Sequence, residues 1–60
     1  MTSEQELQLD SARLSVRRAL NLIDTLFDDK DVSPEDFDSD LSEAINHCNS
    51  AIEFLYGAKP

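Results

Sequence analysis

The only candidates for a zinc site, or for a nucleophile with its base, are one His and one Cys, and they are adjacent: His47 and Cys48. Consecutive residues on an α-helix point about 100° apart, so these two side chains cannot bind one ion together or form a nucleophile–base pair. Cys48 is expected to be a small core hydrophobe, and a single Cys allows no internal disulfide. A symmetric dimer would bring two His47 side chains together, giving at most a pH-dependent or adventitious metal contact.

Acidic side chains concentrate between Asp28 and Asp40, where seven acids accompany one Lys. An EF-hand calcium loop needs Gly at its sixth position and a bidentate Glu at its twelfth. Counting from Asp29 the sixth residue is Pro34, and counting from Asp36 it is Leu41. These acids are therefore expected to cap a helix and to keep a turn solvated, and we predict no metal site and no cofactor.

Three of the five basic residues form a candidate basic patch, Arg13, Arg17 and Arg18. One interpretation is ion pairing along the flanks of a helical bundle, with Glu43 within reach, which contributes a few tenths of a kcal/mol for an exposed pair. The other is a docking patch for an acidic partner or an RNA backbone.

Composition excludes several classes of function. The chain has 60 residues and a net charge of −8, which disfavours nucleic acid and anionic membranes as partners because both require clustered Lys and Arg. A Gly-rich phosphate loop, a Ser/His/Asp set and a stretch of about 20 apolar residues are all missing. We therefore expect neither an enzyme with a catalytic residue and a small-molecule substrate nor a membrane protein. The acidic N-terminal residues do not resemble a signal peptide, and a cytoplasmic location is expected.

The first half of the chain predicts one amphipathic helix over about residues 4–27. Ser3 and Glu6 have the spacing of a capping box. Apolar residues then recur at steps of three and four, the period of one helical stripe: Leu9, Ala12, Val16, Ala19, Leu20, Ile23, Leu26 and Phe27.

The second half predicts a matching helix over about residues 34–56. Ser33 supplies an N-cap hydroxyl, Pro34 suits the first helical position, and acids follow near the positive end of the helix dipole. Gly57 is the expected stop. The apolar stripe here consists of Phe37, Leu41, Ala44, Ile45, Cys48, Ala51, Ile52 and Leu55.

The acidic turn, residues 28–33, is short enough to make the helices antiparallel neighbours. The fold class predicted is therefore all-α, a two-helix hairpin forming one domain over residues 1–60. A monomer of this size is marginally stable, and both stripes are wider than a single helix–helix seam requires. We expect dimerisation into a four-helix bundle with the two stripes as its core. The apolar residues outside the stripes are candidate partner contacts: Leu7, Leu14, Leu22, Phe54 and Tyr56.

This layout resembles the Rop/Rom-type plasmid copy-number regulators, dimeric helical hairpins of similar length. The similarity runs without gaps over nearly the whole chain, with the same or close residues at Met1-Thr2, Leu9, Ala12-Arg13, Leu20, Leu22-Ile23, Leu26, Asp36, Leu41 and Tyr56-Gly57. Most of these are generic bundle residues, so the resemblance implies architecture more than activity.

The resemblance implies an RNA-binding face on the first helices of the dimer, because that family grips a pair of kissing RNA hairpins there. The corresponding positions are Ser3, Asp10, Leu14, Arg18 and Thr25. Leu14 replaces a functional aromatic residue, Ser3 and Thr25 replace lysines, and Asp10 replaces an amide. Arg18 is the one basic residue left, so RNA is a disfavoured partner.

The predicted function is a small non-enzymatic acidic interaction module, a regulator, inhibitor or co-chaperone that acts as a homodimer or with a helical protein partner. Two alternatives stay open. One is a Rop-like RNA-binding regulator that uses the face of helix 1. The other is an acidic mimic of nucleic acid that inhibits a DNA-binding protein.

Overall fold

A computed structural model describes all residues, 1–60, and consists of two antiparallel helices. Helix α1 spans Ser3–Asp28 and helix α2 spans Pro34–Ala58, so five residues connect them. The two helices pack along their whole length and no strand is present. The prediction of an all-α antiparallel hairpin is confirmed, with helices one to two residues longer than expected at three of their four ends.

The N-cap of α1 is Thr2, one residue before the position that the sequence indicated. The Thr2 hydroxyl accepts a hydrogen bond from the Gln5 backbone N–H at 3.1 Å, and Gln5 Oε1 accepts one from the Thr2 N–H at 2.8 Å. The predicted capping box of Ser3 and Glu6 is therefore wrong. The amide of Gln5 also donates from Nε2 to the Ala58 carbonyl at 3.1 Å, a second bond that a carboxylate could not make.

Local hydrogen bonds define the turn between the helices. The Asp29 N–H donates to the Thr25 carbonyl and closes α1, and the Asp29 carboxylate accepts from the Asp31 N–H at 3.0 Å. Ser33 then caps α2 by accepting from the Asp36 N–H at 3.1 Å, with Pro34 at the first position as predicted. The Asp29 carboxylate thus bonds the backbone of the turn, and the Asp28 and Asp31 side chains are exposed to solvent.

Gly57 does not end α2, contrary to the prediction, because it keeps a negative φ and the helix continues to Ala58. A Cβ atom at this position would lie 3.1 Å from the side-chain amide of Gln8 on α1. Gly57 therefore leaves room for the Gln8 side chain rather than forming a left-handed stop.

Small residues form the seam between the helices. The buried residues are Ala12, Ser15 and Ala19 on α1 and Ala44 and Ala51 on α2. Half-buried residues take the other heptad positions of the seam, namely Gln5, Gln8, Leu22 and Leu26 on α1 and Asp40, His47, Phe54 and Ala58 on α2. Because the buried side chains are small, the helices can pack closely, but they enclose little apolar volume.

The hairpin is a thin ribbon with principal extents of 45 × 16 × 10 Å. Its Cα radius of gyration is 14.0 Å, against about 10 Å for a compact domain of this length. No large side chain is fully buried. Neither helix has an apolar stretch of the length needed to cross a bilayer.

Candidate interaction surface

Eleven apolar residues cover one broad side of the ribbon, which we call the apolar face. All are classed as exposed, and the ten large ones retain between 38% and 77% of their accessible surface. Helix α1 contributes Leu9, Val16, Leu20, Ile23 and Phe27, and helix α2 contributes Phe37, Leu41, Ile45, Cys48, Ile52 and Leu55.

Heptad geometry places these residues together. Leu9, Val16 and Ile23 each come one position after a buried or half-buried seam residue of α1, and Leu41, Cys48 and Leu55 each follow a half-buried seam residue of α2. In an antiparallel pair these two sides lie on the same face of the ribbon. Leu9 and Leu55 accordingly line one shallow surface depression, and the seam alanines lie between the two rows.

The opposite broad side is polar. Arg18 and Asn21 of α1 line one open depression with Leu22, and Glu43 and His47 border it from α2. His47 Nε2 lies 4.0 Å from the Glu43 carboxylate on the same helix. The ribbon is therefore amphipathic as a unit, with one apolar and one polar side.

The predicted dimer core divides into two groups. Ala12, Ala19, Ala44 and Ala51 are buried inside the hairpin and Leu26 is half-buried. The other eleven are the residues of the apolar face. Each predicted stripe thus combined two adjacent surfaces, the seam and the apolar face. The alanines that border the apolar face have a spacing that fits both surfaces.

The predicted partner contacts also divide. Leu7, Leu14 and Tyr56 are exposed, at 67%, 48% and 69%. Leu22 and Phe54 are half-buried at heptad positions of the seam and are not free contacts. The large side chains of Leu22 and Phe54 alternate with alanines along the seam. The spacing of apolar residues alone does not reveal this alternation.

The candidate basic patch is split around α1. Arg13 and Arg17 line one depression with Asp10, and Arg13 forms an ion pair with that carboxylate. Arg18 borders Glu43 on the polar side. Proximity of Arg18 to Glu43 agrees with the sequence, but no interhelical ion pair forms. An exposed pair gains too little to fix two long side chains in one geometry.

Residues that could do chemistry are dispersed. His47 lies in the seam and Cys48 on the apolar face, so they point to different surroundings as expected. No group of three or more His, Cys, Asp or Glu side chains has the arrangement of a metal site. The principal depressions are all open to solvent. The surface offers contact area rather than an enclosed reaction site.

The apolar pattern did not reveal three polar residues of the seam, Gln5, Gln8 and Ser15. Their spacing of three and then seven residues continues the heptads of Ala12 and Ala19. The heptad spacing therefore marked these three positions, but a pattern defined by apolar residues does not include polar side chains.

Comparison with known proteins gives no relative: no family model, curated protein or solved structure matches this chain.

Proposed function

We propose that this chain is a small, acidic, non-enzymatic interaction module that acts by packing its apolar face against another helical surface, as a dimer or a heteromer. It would serve as a regulator, an inhibitor or a co-chaperone. The observation that supports this is the continuous apolar face, with ten large side chains each at least 38% exposed. The lone Cys48 suits a reducing cytoplasm.

Energetics favour coverage of this face. The hairpin interior buries only four alanines and one serine, whereas complete burial of a Leu, Ile or Phe side chain contributes about 1.5–3 kcal/mol. Covering the exposed half of such a side chain therefore contributes about 1 kcal/mol. The occupant of the face would supply more apolar burial than the hairpin's own seam.

The shape of the face indicates a helical occupant. Two rows of branched and aromatic side chains flank a strip of small residues along the ribbon, and such a surface accepts the ridges of another helix. Leu7, Leu14 and Tyr56 lie outside this face and are exposed, so they are available for contacts with a further partner.

Cys48 reports directly on whether the face is covered. In a fresh lysate of the cell that makes the protein, we expect a maleimide reagent to label Cys48 at least tenfold more slowly than it labels the Leu20→Glu variant. Leu20 lies on the apolar face, and a carboxylate there opposes burial.

Leu14→Glu provides the matched control. It removes the same side chain from the same helix at nearly the same exposure, 48% against 53% for Leu20, but outside the apolar face. We expect Leu14→Glu to leave Cys48 protected. Equal labelling rates for the unaltered chain and Leu20→Glu would overturn the proposed function.

A second candidate function is mimicry of nucleic acid, favoured by the charge distribution. Residues 24–43 carry nine acidic side chains and one Lys, a negative surface able to occupy a basic groove. Under this alternative, changing Asp36, Asp38 and Asp40 to Asn weakens binding to a DNA-binding partner, whereas an unaffected complex counts against it.

RNA binding has less support from the geometry. Arg13 and Arg17 share their depression with Asp10, and Arg18 borders Glu43. Each cation therefore lies beside a carboxylate that repels phosphate. If RNA were nevertheless bound, affinity would fall steeply with salt and would depend on these three arginines.

A further inference from the structure

The net negative charge of the hairpin is concentrated at the end that holds the turn. Residues 24–43, the turn with the adjoining parts of both helices, hold nine acids and Lys30, a net charge of −8. The rest of the chain, 1–23 and 44–60, holds four acids and four basic side chains, of which Arg13, Arg17 and Arg18 lie near the middle of α1. The end of the ribbon that holds the turn is thus strongly negative, and the remainder as a whole carries no net charge.

The apolar face repeats in three layers. Leu9 and Leu55 adjoin each other near the termini, and the bond from Gln5 to the Ala58 carbonyl supports the same register. Seven residues further along each helix come Val16 and Cys48, and seven more lead to Ile23 and Leu41. The middle layer, the smallest of the three, lies near the midpoint of the ribbon.

The hairpin exposes more surface than a compact monomer of its mass, and the excess is close to the area that one partner contributes to an interface. The hairpin exposes 4803 Å², whereas a compact monomer of this mass exposes about 3,900 Å². The excess of about 900 Å² matches the roughly 800 Å² that each partner contributes to a standard interface. A second copy of the same ribbon offers a face of equal length and width.

Two closed, face-to-face arrangements of such ribbons are possible. If the twofold axis runs along the helices, both turns lie at one end and α1 stacks on α2 of the other copy. If the axis crosses the helices, the turns lie at opposite ends and each helix stacks antiparallel on its own counterpart.

We propose that a second copy of this chain covers the apolar face, with the two turns at opposite ends and the layer of Val16 and Cys48 on the twofold axis. This inference rests on the proposed function and names its occupant. Turns at one end would set two segments of net charge −8 beside each other within reach of their fields. Turns at opposite ends separate the two acidic segments and place each beside the terminal segments of the other copy, where Glu4, Glu6, Glu53 and Lys59 give a net charge of only −2.

This arrangement also fits the sizes of the layers. Each helix meets its own counterpart in reverse, so Val16 meets Val16 and Cys48 meets Cys48 at the centre. On either side Leu9 meets Ile23 of the second copy and Leu41 meets Leu55. The small central layer lets the two ribbons approach while large side chains fill both ends.

Cysteine cross-linking tests the orientation. A disulfide requires Cα atoms about 4.4–6.8 Å apart, so only thiols near the axis can join two copies. With copper phenanthroline in air, we expect purified protein at micromolar concentration to form a covalent dimer through Cys48. Val16→Cys combined with Cys48→Ser should do the same. Leu14→Cys combined with Cys48→Ser, on another side of the ribbon, should remain monomeric on a denaturing gel.

The alternative orientation gives the opposite result. With both turns at one end, Val16→Cys/Cys48→Ser would cross-link to unaltered chain in a mixture, and neither protein would cross-link to itself. The Cys48 measurement needs no substitution, so it does not depend on how well a variant folds.

Sedimentation equilibrium separates this inference from the function on which it rests. If the purified protein is a monomer at micromolar concentration but its Cys48 is protected in lysate, the apolar face is covered by another protein. That result would overturn the proposal of a second copy and would support the proposed interaction module. A monomer whose Cys48 is also freely labelled in lysate would overturn both.

Discussion

Gln5 links both ends of the chain through one side chain. Its Oε1 accepts from the Thr2 N–H at the start of α1, and its Nε2 donates to the Ala58 carbonyl at the end of α2. An amide can serve both groups and a carboxylate cannot, because the first bond needs an acceptor and the second a donor. The capping box of Thr2 and Gln5 is thus also a link between the two helices.

We expect Gln5→Glu to destabilise the protein by about 0.5–1.5 kcal/mol, the net contribution of one hydrogen bond. The carboxylate can still accept from the Thr2 N–H, but it cannot donate to the Ala58 carbonyl. Urea unfolding followed by circular dichroism, at one fixed protein concentration, measures the loss. Glu4→Gln exchanges the same groups next to Gln5 and should have little effect. Unchanged stability of Gln5→Glu would show that the bond to Ala58 contributes nothing.

At the scale of the elements, the pairing of α1 with α2 depends on small side chains at heptad spacing. Ala12 and Ala19 lie seven residues apart, as do Ala44 and Ala51, and all four are at most 6% exposed. Gly57 leaves room beside this seam for the Gln8 side chain. The two helices can therefore approach closely, and most of the larger apolar side chains are left on the outside.

Ala19→Leu tests this close approach. Extra methylene and methyl groups in a tightly packed seam typically cost about 1–3 kcal/mol, so we expect a loss in that range from urea unfolding. Asn21→Leu, two residues along the same helix at an exposed position, introduces the same side chain and should change stability by less than about 0.5 kcal/mol. Equal effects of both substitutions would contradict a tight seam at Ala19.

At the scale of the whole molecule, the hairpin exposes more surface than its mass requires. A chain that exposes 4803 Å² instead of about 3,900 Å² gains stability by covering the difference. Folding and association are then coupled, and the free energy of unfolding depends on protein concentration.

We therefore expect the melting temperature to rise with concentration. For a dimer that unfolds to separate chains, a hundredfold increase in concentration adds about 2.7 kcal/mol, which corresponds to a rise of about 10 °C for this size. Circular dichroism melts over that range measure it. Leu20→Glu should abolish the dependence and Leu14→Glu should retain it, whereas a constant melting temperature for the unaltered chain would exclude coupled association.

The sequence alone determined the elements. Ser33 and Pro34 begin α2 as predicted, the short acidic link makes the helices antiparallel, and the three-and-four spacing of apolar residues marks both helices. These features are local, since capping and helical periodicity depend on residues within a turn or two of each other. The residues of the apolar face, among them Leu9 and Leu55, were also all present in the predicted stripes.

Only the tertiary structure decided which side of each helix faces the other. The alanines belong by spacing both to the seam and to the apolar stripe, so periodicity could not separate the two surfaces. Their assignment depends on contacts between residues far apart in the chain, such as Gln5 with Ala58 and Gln8 with Gly57. Small side chains take the buried seam positions, with Leu22, Leu26 and Phe54 half-buried between them, and most of the large apolar residues remain on the outer face.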